Sequence, residues 1–218
     1  MNRPLAIFFD FDGTLADTAP DLAGAANDMR IARGLAPLPL SALRPHASAG
    51  ARGLVGAAFG LTPQDSGYEA LKNEFLARYE QRMTRDTTLF DDIEALLGRL
   101  EEAGLLWGIV TNKLARYTLP ITRHLQLAHR ASAVVSGDTT PHAKPHPAPL
   151  LKAAEQADVP PLRCWYVGDD LRDIQAARAA GMGAVAAAYG YCGDSAPQQW
   201  GADALIHAPL ELLALLRA

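Results

Sequence analysis

Six short apolar runs, at residues 5–9, 106–110, 133–135, 164–167, 183–187 and 204–206, constrain what this chain can fold into more than any other feature. Each is too short to span a membrane and too apolar to lie on a surface, so each reads as a strand buried on both faces. Amphipathic helical patterns separate the later runs. The clearest covers residues 93–100, with Asp91 or Asp92 as N-cap and Gly104 just past its end; residues 148–156 repeat it, as do 173–180, stopped by Gly181. Strands alternating with helices predict an α/β fold with right-handed crossovers, a mostly parallel sheet covered by helices on both faces.

Residues 16–85 break that rhythm. They offer helical stretches at 19–33, 41–59 and 68–85, separated by Gly and Pro, with no convincing buried strand. The expected organisation is therefore a core built from residues 1–15 and 86–218 with an all-helical cap domain, residues 16–85, inserted after the first strand. A length of 218 residues, about one and a half ordinary domains, accommodates this. With 49% hydrophobic and 20% charged residues the chain has material for a core and is not a disordered one. Its net charge of −4 supplies no basic footprint for nucleic acid. The apolar start is interrupted by Asp10 and Asp12 and lacks a small-residue cleavage site, so it does not read as an export signal. Two distant cysteines, Cys164 and Cys192, are too few for a disulfide framework. The expectation is a soluble, cytoplasmic protein with no membrane association.

Polar groups gather where the apolar runs stop, the edge at which open α/β sheets bind ligands. The first run ends in Asp10-Phe11-Asp12-Gly13-Thr14, which sends two carboxylates to one side of an extended chain, with Gly13 permitting a turn. Alone, this is equally readable as a capped turn. The second run ends in Thr111-Asn112-Lys113, in isolation ordinary loop chemistry. Lys144 lies in the stiff segment Ala143-Lys144-Pro145-His146-Pro147, where a solvated charge is the plain alternative. Gly168-Asp169-Asp170-Leu171-Arg172-Asp173 sets three carboxylates after another strand, although Asp173 also suits a helix cap and Asp170 an exposed neighbour. His142 and His146 have helical metal-ligand spacing, but the prolines around them forbid the helix. Trp107 and Trp165 read as core.

Taken in order, these four strand ends resemble the haloacid dehalogenase superfamily, whose Asp-x-Asp-x-Thr, Ser/Thr, Lys and Gly-Asp-x-x-x-Asp motifs match Asp10 to Thr14, Thr111, Lys144 and Gly168 to Asp173. The resemblance implies a Rossmann-like core and a helical cap after the first motif. Asp17-Thr18-Ala19-Pro20-Asp21, Thr111-Asn112-Lys113 and Lys144-Pro145-His146-Pro147 look like the phosphoglycolate phosphatase group. The stretch from Gly104 to Lys113, Tyr189-Gly190-Tyr191 and Trp200-Gly201-Ala202-Asp203 look closer still to the N-acetylmuramic acid 6-phosphate phosphatases. The implied activity is Mg²⁺-dependent hydrolysis of a small phosphomonoester, 2-phosphoglycolate or N-acetylmuramic acid 6-phosphate, through an aspartyl-phosphate.

The same resemblance implies the roles. Asp10 attacks phosphorus and Asp12 exchanges protons with the leaving oxygen and then water. Asp10, Asp169 and the Asp12 carbonyl hold Mg²⁺, with Asp173 acting through a metal-bound water or by orienting Lys144. Thr111, the Asn112 amide and Lys144 bind the phosphoryl group. In the cap, Ala47-Ser48-Ala49-Gly50-Ala51-Arg52 is a small-residue turn ending in arginine; Ser48, Gly50 and Arg52 are candidates for contact with the substrate, against the alternative of an ordinary interhelical turn. A phosphosugar mutase of the same superfamily, a dehalogenase, a phospho-accepting receiver module and a catalytically dead binding protein are the competing readings. Monomer and homodimer both suit such a chain.

Overall fold

In the computed structural model, which describes residues 3–193 and 195–216, the run Ala6-Ile7-Phe8-Phe9 is fully buried because it forms an inner strand of a parallel sheet. In chain order the elements are β1 (Ala6–Phe9), β2 (Ala16–Asp17), α1 (Ala19–Ile31), α2 (Leu40–Leu43), α3 (Gly50–Phe59), α4 (Tyr68–Glu80), β3 (Thr88–Leu89), α5 (Ile93–Glu102), β4 (Leu106–Val110), α6 (Ala115–His124), β5 (Val134–Val135), α7 (Ala148–Gln156), β6 (Cys164–Gly168), α8 (Leu171–Ala179), β7 (Gly183–Ala187), β8 (Ala204–Ile206) and α9 (Leu212–Leu215). Six strands pair in the order β5-β4-β1-β6-β7-β8, all parallel. From β1 the chain builds outward through β4 to β5, then returns to β6 and builds the other way. The reversal opens a crevice beside β1, at the carboxyl ends of β1, β4 and β6.

Period-two alternation splits the strands' side chains between two cores. Ile7, Phe9, Ile109 and Val167 face Leu96, Leu97 and Leu100 of α5 and Ile121 of α6. Phe8, Val110 and Tyr166 face Leu150 and Ala153 of α7 and Ile174 and Ala177 of α8. Burying a side chain such as Phe8 or Ile109 contributes about 1.5–3 kcal/mol. Trp107 and Trp165 are buried, and Cys164 is a buried free thiol. Among the described residues no helix is long and apolar enough to cross a membrane.

All six expected strands are present, and the helices differ in instructive ways. Asp92 stands at the N-cap of α5 but at φ 65°, and its side chain makes no capping hydrogen bond. Helix α8 starts at Leu171, two residues before the expected start. Asp170 is its cap, accepting the Arg172 N–H at 2.9 Å, while Asp173 accepts the Asp170 N–H at 3.0 Å. Asp173 is thus inside the helix rather than its cap. Helix α6 was not expected because Pro120 lies within it. The stretch expected at 41–59 breaks into α2, a 3₁₀ turn (Arg44–Ala49) and α3, with Gly50 at φ 57° and ψ −140° at the joint.

Helices α1 to α4 lie outside the sheet and bury Ala25, Ala26, Met29, Leu54, Val55 and Phe75 among themselves and against the core. The two connections to the sheet meet in a two-residue antiparallel ladder, Ala16 opposite Leu89 and Asp17 opposite Thr88, too short to leave a periodic signal. Asp21, fully buried at the start of α1, ties the connections together. It accepts hydrogen bonds from the backbone N–H groups of Asp86 (3.1 Å) and Thr87 (3.0 Å) and from the Thr87 hydroxyl (2.8 Å). Replacing it strands buried donors, so Asp21→Ala is expected to lower the unfolding free energy by about 3 kcal/mol in urea titration, and Asp21→Asn by less.

Candidate active site

Strand β1 delivers Asp10 directly into the crevice. The Asp10 N–H still continues the sheet, donating to Val167 at 2.8 Å, and its carboxylate accepts the Phe11 N–H at 2.7 Å. Past it the chain turns at Gly13, whose φ is 87°; a Cβ there would lie 2.2 Å from an Asp169 carboxylate oxygen. Asp12 accepts a short hydrogen bond from the Thr18 hydroxyl and pairs with the Lys113 ammonium at 2.9 Å. A side chain at position 13 would overlap the Asp169 carboxylate and push the turn away from it. Gly13→Ala is expected to destabilise the fold by about 3 kcal/mol in a denaturation experiment, from combined backbone strain and overlap.

Strand β4 delivers Thr111, almost fully buried, whose Oγ accepts the Lys113 N–H at 3.1 Å and so keeps its own O–H available to donate. The Asn112 side chain is engaged elsewhere. Its amide donates to the Lys144 carbonyl at 2.9 Å and its oxygen accepts the Lys144 N–H at 2.8 Å, a two-point clamp on the Lys144 segment. The Lys144 peptide to Pro145 is cis. Clamped there, the Lys144 ammonium reaches Asp10 and Asp173, both at 2.8 Å, the Tyr166 hydroxyl at 2.7 Å and the Val110 carbonyl at 3.1 Å. Burial alone would depress its pKa, but Asp10 and Asp173 outweigh burial and hold it above the ordinary lysine value. It is a fixed cation, not the solvated charge that a loop position suggests.

Strand β6 delivers Asp169, fully buried. One oxygen accepts the Thr14 hydroxyl at 2.9 Å and the other the Tyr191 N–H at 2.8 Å. Burial, then the charges of Asp10 and Asp173, push its carboxyl well above the usual range. Burial likewise raises Asp173, against the pull of Lys144. Asp10, Asp169 and Asp173 each offer one oxygen within 4.8 Å of the others. Three carboxylates against a single lysine leave an all-oxygen, negatively charged pocket that fits a hard divalent cation such as Mg²⁺. Both Asp173 oxygens already take protein donors, from Lys144 and Asp170, which suits a positioning place better than direct ligation. Asp170 caps α8 and grips Arg172 at 2.8 Å through both oxygens. Arg172 in turn donates to the Ser48 carbonyl at 3.0 Å, linking this edge to the inserted helices.

A cavity of about 310 Å³ lies between the strand ends and the insert, at the small end of the roughly 300–1,000 Å³ typical of small-molecule sites. Asp10, Asp12, Thr111, Asn112, Lys144 and Asp173 line its floor, and Ser48 and Gly50 its roof. Arg52 is not brought to it. Its side chain is exposed, because it lies about 200° of helical rotation from the buried Leu54 of α3. The sequence reading gave no role to three further residues. Lys113 holds Asp12, a neighbour revealed only once β1 and β4 pair. Thr14 holds Asp169, although it stands within the first motif. Tyr191, from beyond β7, receives the Thr18 and Ala19 N–H groups on its hydroxyl at 2.8 and 2.9 Å while its backbone holds Asp169.

A parallel sheet with an acidic cluster and a buried lysine at its carboxyl edge, roofed by helices inserted after the first strand, defines the haloacid dehalogenase-like hydrolases. The chain belongs to that family, whose model matches residues 7–187. It is 47% identical over 216 residues to a phosphoglycolate phosphatase of Xanthomonas campestris pv. campestris, covering 97% of this chain and 96% of that protein. It is 43% identical over 215 residues to an N-acetylmuramic acid 6-phosphate phosphatase of Pseudomonas aeruginosa, covering 98% and 95%. The crystal structure of a predicted phosphoglycolate phosphatase from Haemophilus somnus 129PT superposes with a TM-score of 0.85 at 26% identity, covering 99% of both chains.

Proposed function

We propose that this protein is a Mg²⁺-dependent phosphatase that hydrolyses a small phosphomonoester through an aspartyl-phosphate on Asp10. The observation that carries this reading is the Lys144 ammonium bridging Asp10 and Asp173 at 2.8 Å beside Asp169. A phosphate monoester is a dianion, which a carboxylate nucleophile approaches only if other groups neutralise the charge. Lys144 supplies one such charge. Asp10, Asp169 and the Asp12 carbonyl would hold Mg²⁺, which would supply the remaining positive charge opposite the phosphoryl oxygens.

In the first half-reaction an Asp10 oxygen forms a bond to phosphorus, the ester P–O bond breaks, and the leaving oxygen takes a proton from Asp12. In the second, water attacks phosphorus, its proton passes to Asp12, and the acyl-phosphate P–O bond breaks to restore the Asp10 carboxylate. Thr111, with its O–H free to donate, and the Asn112 backbone N–H face the charge that develops on the phosphoryl oxygens. The Asn112 side chain acts indirectly by fixing Lys144. Asp173 orients Lys144. Residues 16–85 form a cap whose Ser48 to Gly50 turn closes over the substrate, with Tyr191 and Asp21 bracing its two connections.

The relatives carrying two different substrate names at similar identity support the phosphatase class and leave two candidate esters, 2-phosphoglycolate and N-acetylmuramic acid 6-phosphate. Parallel measurement of kcat/KM on both and on a phosphosugar panel, without added bisphosphate, is the direct test. Phosphate release is expected, and its absence on every ester would overturn the proposal. Asp10→Asn is expected to reduce turnover roughly a thousandfold or more. Chelation should abolish activity and Mg²⁺ restore it; Asp169→Asn should raise the half-saturating Mg²⁺ concentration at least ~10-fold, read from activity and from calorimetric titration.

A further inference from the structure

Two lysines divide the carboxylates of the first motif between them. Lys144 holds Asp10, whereas Lys113, whose side chain is 9% exposed, pairs with Asp12 at 2.9 Å and with no other carboxylate among the described residues. The Lys113 backbone is pinned on both sides. Its N–H donates to the Thr111 hydroxyl oxygen at 3.1 Å, and its carbonyl accepts the Gly137 N–H at 2.8 Å and the Thr118 hydroxyl at 3.0 Å. Tyr79, from α4 of the insert, packs over the ammonium with its ring centre at 4.9 Å and its hydroxyl facing it. The ammonium is thus held by Asp12 from the end of β1 and by Tyr79 from the inserted helices.

The Lys113 ammonium and the Thr18 hydroxyl both meet the same Asp12 oxygen, Oδ1. That leaves Oδ2 as the oxygen able to exchange a proton in the cavity that Asp12 lines. The terminal torsion of an aspartate is soft, so an unheld carboxylate swings over a broad range. Two donors on one oxygen fix the direction of the other. Direction matters because a misplacement of about 1 Å in a reacting group can cost roughly a hundredfold in rate.

We propose that Lys113 is a positioning residue for proton transfer. With Thr18 it locks Asp12 Oδ1, so that Oδ2 gives its proton to the ester oxygen as the P–O bond breaks and takes one from water in the second half-reaction. Lys113 itself neither gives nor takes a proton, and Tyr79 seats its ammonium from the side of the insert. This rests on the phosphatase reading above. The test compares kcat/KM, which reports the first half-reaction, on two kinds of leaving group. Aliphatic esters (2-phosphoglycolate, N-acetylmuramic acid 6-phosphate and the phosphosugar panel) lose an alkoxide that needs a proton. p-Nitrophenyl phosphate and acetyl phosphate lose groups that depart unprotonated. Lys113→Met is expected to lower kcat/KM on the best aliphatic ester roughly tenfold or more, and on the activated pair by no more than about threefold. Asp12→Asn should show the same asymmetry, larger in size. Lys113→Arg, which keeps a charged donor, should recover part of the loss, and Tyr79→Phe should shift the aliphatic-to-activated ratio a few-fold in the same direction. If Lys113→Met does not fold, Lys113→Gln is read for the same ratio. Equal losses on both kinds of ester, the result of a merely structural or phosphate-binding lysine, overturn this inference alone, as does a variant that loses nothing. No phosphate release by the wild-type enzyme from any ester overturns the phosphatase reading, and this inference with it.

Discussion

The Lys144 ammonium lies within hydrogen-bonding distance of four oxygens, those of Asp10, Asp173, Tyr166 and Val110, and its side chain is 2% exposed. Removing an ammonium and two carboxylates from water costs several kcal/mol per ion unless their geometry is good. Much of the surrounding structure supplies that geometry. Asn112 clamps the Lys144 backbone, and Tyr166 adds a neutral oxygen from the neighbouring strand while accepting the Lys144 proton and donating to Val110 at 2.7 Å. Gly168 lets α8 bring Asp173 close; a Cβ at 168 would lie 2.3 Å from the Asp173 carboxyl carbon. One cation against three carboxylates leaves the cluster short of positive charge, which is the physical ground for assigning it a divalent ion.

The sheet order makes this cluster possible. β1 lies between β4 and β6, so the residues that follow the three strands, Asp10, Thr111 and Asp169, meet at one edge although they are separated by scores of residues in the chain. The insert leaves and re-enters at the same edge. Its connections are tied by Asp21 and by Tyr191, and Tyr191 also holds Asp169 through its backbone. One tyrosine thus touches both the insert's first connection and the acidic cluster. Arg172 makes a second link, joining Asp170 to the Ser48 carbonyl.

Much of this was legible from the residues. Doubly buried strands are continuous apolar runs, and all six were readable, as was the gathering of Asp10, Thr111, Lys144, Asp169 and Asp173 at their ends. Helix α6 was hidden by Pro120, and the β2–β3 ladder by its two-residue length. The start of α8 was misplaced because Asp170 and Asp173 are both plausible caps, and only the backbone shows which one caps. Arg52 looked like a substrate contact because it follows a small-residue turn, but helical rotation carries it to solvent. Lys113 could not be found by spacing, since what matters about it is its pairing with Asp12, which exists only once β1 and β4 lie side by side.

In the proposed reaction Asp10 carries the phosphoryl group between the two half-reactions. Mass spectrometry of enzyme quenched in acid during turnover with Mg²⁺ tests it most directly. One added phosphoryl group is expected, located on the peptide containing Asp10 and lost on incubation at neutral pH. Phosphate release with no adduct, or an adduct on another residue, would contradict it.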